Sequence, residues 1–111
     1  MPIDGDTQDA NSISTLVTVN EIPSGADEIV TVDGDSMEPD YPLGSKIYLH
    51  YQTTIESGEL AVVHVQDEGV TFKQIYIDEQ EQTITLHSLN DIYEDRIFKC
   101  GEISIIGKVI D

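Results

Sequence analysis

Apolar positions along this chain come in short runs rather than long stripes. ISTLVTV (13–19), EIVTV (28–32), KIYLHY (46–51), LAVVHV (60–65), VTFKQIYI (70–77), QTITLHS (82–88) and EISIIGKVI (102–110) are rich in Val, Ile, Thr and Tyr. That content, with polar and apolar residues alternating in several runs, predicts strands. PSG (23–25), PDYPLG (39–44), ESGE (56–59), QDEG (66–69) and DEQEQ (78–82) separate them and carry the residues of tight turns. No segment keeps a helical apolar spacing over several turns. Short connections favour antiparallel neighbours, with 70–77 and 82–88 as a hairpin. The expected architecture is mostly β, antiparallel sheets joined by short turns. The terminal run is long and apolar, so its edge has to be covered by its own sheet or by another subunit. Residues 1–12, MPIDGDTQDANS, show no periodicity and read as a flexible acidic leader or linker remnant.

With 111 residues and 39% hydrophobic content the chain is sized for one core. No run is long and apolar enough to span a membrane, and no secretory signal opens the chain, so the reading is a cytoplasmic protein without membrane contact. Charge is the unusual bulk property: 22 Asp plus Glu against 5 Lys plus Arg, a formal net charge of −17. Phosphate backbones are gripped by Lys and Arg that displace counterions, so this chain does not itself bind nucleic acid. The acidity reads as a solvated surface, or as recognition of a basic partner. Cys100 is the single cysteine, which excludes an internal disulfide. His50, His64 and His87 fall in separate strands without metal-ligand spacing, and IDGDTQD and DGDSMEPD lack the spacing of a calcium loop. No metal or cofactor is expected.

The chemistry-bearing stretch is VDGDSMEPD (32–40). A serine hydroxyl becomes a useful nucleophile only when a neighbouring base takes its proton, and a lysine serves if it is neutral. Burial against apolar side chains lowers a lysine's pKa towards that range. Lys73 interrupts the apolar run VTFKQIYI and is the candidate. Lys46 and Lys108 also sit in predicted strands, while Arg96 and Lys99 read as members of a polar segment. Acidic neighbours would hold Lys73 charged, so its role as base requires a dry pocket. The plainer readings are a turn serine bonded to its own backbone and a lysine whose stem covers apolar surface while its amine reaches water.

GDSMEP (34–39), PLG (42–44), ESGELAVVHV (56–65) and GVTFKQI (69–75) resemble the C-terminal domain of LexA and of phage CI-type repressors. That family also includes UmuD-like mutagenesis proteins and, more distantly, signal peptidases. LHSLNDIYEDRI (86–97) and IIGKVI (105–110) are similar to the family's closing segments. The resemblance implies a LexA/signal-peptidase-like fold of twisted antiparallel β-sheets over residues 13–111. It implies Ser36 as nucleophile and Lys73, 37 positions later, as general base. Backbone amides of Asp35, Ser36 and Met37 would stabilise the oxyanion, with the Met37 side chain as apolar wall. The implied activity is self-cleavage of the linker to an N-terminal DNA-binding domain outside this chain, and the implied partner is the chain itself as homodimer or higher oligomer. An activated recombinase filament of the SOS response, or an antirepressor protein, would relieve repression; DNA is met only through the N-terminal domain. The family's Ala-Gly scissile bond lies upstream of the serine, but the corresponding window here reads MPIDGD (1–6) and no Ala-Gly pair occurs in the chain. The chain is therefore expected to be a fragment lacking that bond, or a domain retained for assembly with an idle dyad. A polymerase accessory subunit of the UmuD type is the further alternative.

Overall fold

The computed structural model describes residues 23–110, in which seven strands form one antiparallel sheet. They are β1 (Glu28–Thr31), β2 (Lys46–Tyr51), β3 (Leu60–Val65), β4 (Gly69–Asp78), β5 (Thr83–His87), β6 (Arg96–Lys99) and β7 (Ile103–Ile110). Their order across the sheet is β1-β2-β7-β3-β4-β5-β6. The expected hairpin is present as β4 and β5, with Ile75 opposite Leu86 and Ile77 opposite Ile84. The run 13–19 and the leader 1–12 lie outside the described residues.

β3 is the strand on which the rest is assembled. Its run LAVV is apolar on both sides because both sides are covered. Ala61, Val63 and Val65 join Ile75, Ile84, Leu86 and Ile103 in one cluster, while Val62 joins Val30, Val32, Ile47 and Leu49 in another. Each large side chain taken fully out of water here, Leu49 and Ile75 among them, contributes roughly 1.5–3 kcal/mol.

β7 lies inside the sheet, between β2 and β3, so its long apolar edge is covered on both sides by its own chain. A β-bulge where Val62 faces Gly107 and Val63 faces Ile105 leaves Ile106 without a partner on β3. Gly107 is needed at that point. A Cβ there would stand 2.6 Å from the His50 carbonyl oxygen and 2.8 Å from Leu49 Cγ, closer than packed atoms approach.

One strand departs from the sequence reading. Arg96 and Lys99, read only as members of a polar segment outside the strand-like runs, belong to β6, paired with β5 through Thr85–Ile97 and Thr83–Lys99. The reason is non-local. RIFK has one half-buried apolar residue, Phe98, and β5 supplies the hydrogen-bonding edge that orders it.

Candidate active site

The segment between β1 and β2 leaves the sheet and returns to it at almost the same place. The Val32 amide donates to Ser45 O (2.8 Å) and the Gly44 amide to Val32 O (2.8 Å), closing the base of the excursion. Gly44 has a φ of +88°, a conformation side chains disfavour, which is the reason a glycine ends the PLG turn. Within the loop, the Glu38 amide donates to Asp35 O and the Tyr41 amide to Met37 O. Met37 is 1% exposed and anchors the loop in the core. Ser36, one residue earlier, is thereby held at the rim of a cavity of about 60 Å³ walled by Val30, Val32, Met37, Ile47, Val62 and Phe72.

Lys73 reaches this cavity from β4. Its Nζ lies 2.9 Å from Ser36 Oγ and 3.2 Å from Thr71 Oγ1. Among the described residues no carboxylate forms an ion pair with it. Burial pushes its pKa down to about 8 from 10.5, and the positive charge of Arg96 pushes it in the same direction. Near neutral pH a substantial minority of such a lysine is unprotonated. The ammonium donates to Ser36 Oγ; the neutral amine accepts the hydroxyl proton instead, the polarity a general base requires. Burial, and not the carboxylates of the described residues, sets the proton affinity of this amine.

The other proposed site residues sit as follows. The Met37 side chain lines the cavity. The Asp35 side chain is outside it, accepting a hydrogen bond from the Tyr93 hydroxyl. The amides of Ser36 and Met37 donate to no acceptor among the described residues.

Sequence reasoning missed several neighbours. Thr71 is the second hydroxyl on Lys73. Arg96 faces Lys73 across a second cavity of about 130 Å³ and is held by Glu68 through two bonds, 2.9 and 2.7 Å. Asn90 and Tyr93, in the loop between β5 and β6, hydrogen-bond to the serine turn. Nothing in local spacing connects positions so far apart in the chain. Only the likeness of LHSLNDIYEDRI to the closing segments marks that loop.

No group of His, Cys, Asp and Glu able to hold a metal occurs among the described residues. None of their helices is long and apolar enough to cross a membrane. Cys100–Gly101, a Cys-Gly pair, follows Ser36 in sequence and forms the 3₁₀ turn leading into β7, with Cys100 packed against the core cluster of Ala61 and Val63.

A family model described as Peptidase S24-like matches residues 4–110. The chain belongs to that family. Among curated proteins the S24-like chain is similar to a LexA repressor of Exiguobacterium sibiricum, 32% identical over 83 residues that make up 74% of this chain and 39% of the relative. It is also similar to a LexA repressor of Exiguobacterium sp. (strain ATCC BAA-1283 / AT1b), 29% identical over 99% of this chain and 56% of the relative. The S24-like chain thus spans roughly two fifths to just over half of the length of these curated relatives.

Proposed function

We propose that this chain is the C-terminal part of a LexA- or phage CI-type repressor, in which Ser36 and Lys73 cut the linker to a DNA-binding domain and the fold holds copies of the protein together. The observation that carries this is the 2.9 Å approach of a buried, pKa-lowered lysine amine to a serine hydroxyl beside an apolar cavity.

In the proposed step, Ser36 Oγ attacks the carbonyl carbon of a linker peptide bond while its proton passes to neutral Lys73 Nζ. Amides of the serine turn, those of Ser36 and Met37 first, donate to the oxyanion. As the C–N bond breaks, the Lys73 ammonium returns the proton to the leaving amine. Water then hydrolyses the ester on Ser36, with Lys73 again as base, releasing a carboxylate and restoring the hydroxyl. The second-cavity cation Arg96 favours the neutral amine throughout.

Family membership and the LexA relatives support the repressor assignment, self-association and a cytoplasmic setting. An activated recombinase filament or an antirepressor is the proposed trigger. A second reading, an assembly domain with an idle dyad, is favoured by the absence of an Ala-Gly pair from residues 1–111. The test is incubation of the full-length protein at alkaline pH, where neutral lysine is more populated, beside Ser36→Ala and Lys73→Ala. Self-cleavage in the parent and in neither variant supports the active dyad. A parent that stays whole, with activated recombinase present as well, supports the idle one.

A further inference from the structure

The serine turn is fastened from outside by one residue of the β5–β6 loop. The Asn90 amide N–H donates to the Ser36 carbonyl oxygen at 2.9 Å, and Asn90 Nδ2 donates to the Asp35 carbonyl oxygen at 2.9 Å. The amide of Asn90 is oriented unambiguously by its surroundings. Its Oδ1 accepts from the Ile92 N–H at 3.2 Å, so the nitrogen faces the Asp35 carbonyl. Asn90 therefore holds two successive peptide units, Asp35–Ser36 and Ser36–Met37, through their carbonyl ends, with the Glu38 N–H as a longer second donor on the Asp35 carbonyl at 3.2 Å.

A peptide unit is planar, and in the trans form its C=O and N–H point in opposite directions. Fixing the carbonyl of Asp35 fixes the direction of the Ser36 N–H, and fixing the carbonyl of Ser36 fixes that of the Met37 N–H. Those two N–H groups project away from Asn90 and donate to no acceptor among the described residues. We propose that Asn90 is a positioning residue for the oxyanion site, holding the Ser36 and Met37 amides in place through the opposite ends of their peptide units. Asn90 touches neither substrate nor the reacting atoms. It acts by denying the two planes the rotation that would turn the donors aside, and preorganised donors are worth most when they need no rearrangement in the transition state.

Tyr93 is a weaker second tie. Its hydroxyl reaches the Asp35 carboxylate, a side chain free to rotate without turning either peptide unit. The acidic side chain of Asp35 is thereby held on the outer face, away from the site where negative charge would develop.

This inference rests on the Ser36/Lys73 reading, and its test separates the two. The 111-residue chain is treated with diisopropyl fluorophosphate, and labelling of Ser36 is followed by mass spectrometry across pH. Ser36 Oγ forms the O–P bond, the P–F bond breaks and fluoride leaves, Lys73 takes the hydroxyl proton, and the phosphoryl oxygen seats where the oxyanion would. Asn90→Asp keeps the size of the side chain, the backbone donor and the acceptor for Ile92, but replaces the donor to Asp35 by an oxygen that cannot donate and adds a negative charge. Asn90→Ala loses that acceptor as well. Both are expected to slow labelling about 100-fold, and Asn90→Ala to do so with the pH midpoint unchanged, because it brings no charge towards Lys73. Tyr93→Phe is expected to change it little. Labelling of either Asn90 variant at the parent's rate, or a midpoint that moves with the rate in Asn90→Ala, overturns the proposal.

A second readout does not depend on reactivity. Backbone relaxation of the Ser36 and Met37 amides should give order parameters near the rigid value of about 0.85 in the parent and below about 0.6 in Asn90→Ala. Equal order parameters in the two proteins overturn the clamp whatever the labelling shows. A parent whose Ser36 is not labelled, with the amides rigid and loosened as expected, counts against the dyad and leaves Asn90 as the clamp.

Discussion

Lys73 and Lys108 stand in one cross-strand row, each directly opposite Ala61, one from β4 and one from β7. By position in the sheet they are near equivalents, yet their amines end in opposite states. Lys108 Nζ is 2.7 Å from Glu59 Oε2 in solvent, and this partner raises its pKa. Lys73 is buried beside two hydroxyls, and desolvation drives its pKa down to about 8. The lesson is that a lysine's chemistry is set by what closes over it. A carboxylate within reach keeps the amine a cation, whereas a dry wall with a hydroxyl at its centre makes it a base.

The largest effect expected from breaking this contrast is on reactivity. Lys73→Ala should lower Ser36 labelling or self-cleavage at least about 10⁴-fold, as loss of one member of a catalytic unit does, while Lys108→Ala leaves it unchanged. Equal loss in both variants would erase the distinction. Next comes conversion of one lysine's setting into the other's. Thr71→Asp places a carboxylate beside Lys73 Nζ and should raise the midpoint of the pH–rate profile by about 1–3 units, slowing the reaction at any pH below it.

Stability should show the same lysine with the opposite sign from a salt-bridged one. The folded pKa of Lys73 lies below its ordinary value, so between about pH 8 and 10.5 the unfolded chain binds more protons than the folded one. Stability from this group therefore rises with pH through that window, by about 3 kcal/mol in all, and its full cost is present below pH 8. Subtracting denaturant-unfolding curves of Lys73→Met from those of the parent isolates this rise, and the variant should be the more stable protein at pH 7. The smallest effect belongs to the exposed pair. Glu59→Gln should return Lys108 towards its ordinary pKa, read by NMR titration, with no resolvable change in melting temperature, because exposed ion pairs are screened and offset by side-chain entropy.

Legibility from sequence divides along the same line between local and non-local causes. KIYLHY and LAVVHV coincide with β2 and β3, and VTFKQIYI lies within β4, because β-branched alternation bounded by Gly and Asp turns acts over a few residues. β6 was not legible, since RIFK has too little apolar pattern of its own and is ordered by the edge of β5. In the site, Ser36 and Lys73 stood out through residue type and resemblance. Thr71, Asn90, Tyr93 and Arg96 did not, because their meaning lies in contacts with residues elsewhere on the chain.

The sequence by itself determined a chain of short strands and turns, the antiparallel class they build, and the two residue types able to do the chemistry. Tertiary structure decided that the last strand enters the middle of the sheet and that Lys73, not Lys108, loses affinity for its proton. It also decided that the serine turn is tied down by Asn90. Strand formation follows from backbone and side-chain preferences within a few positions. Desolvation and hydrogen-bond closure arise only where segments distant in the chain, here the β1–β2 loop, β4 and the β5–β6 loop, are folded against one another.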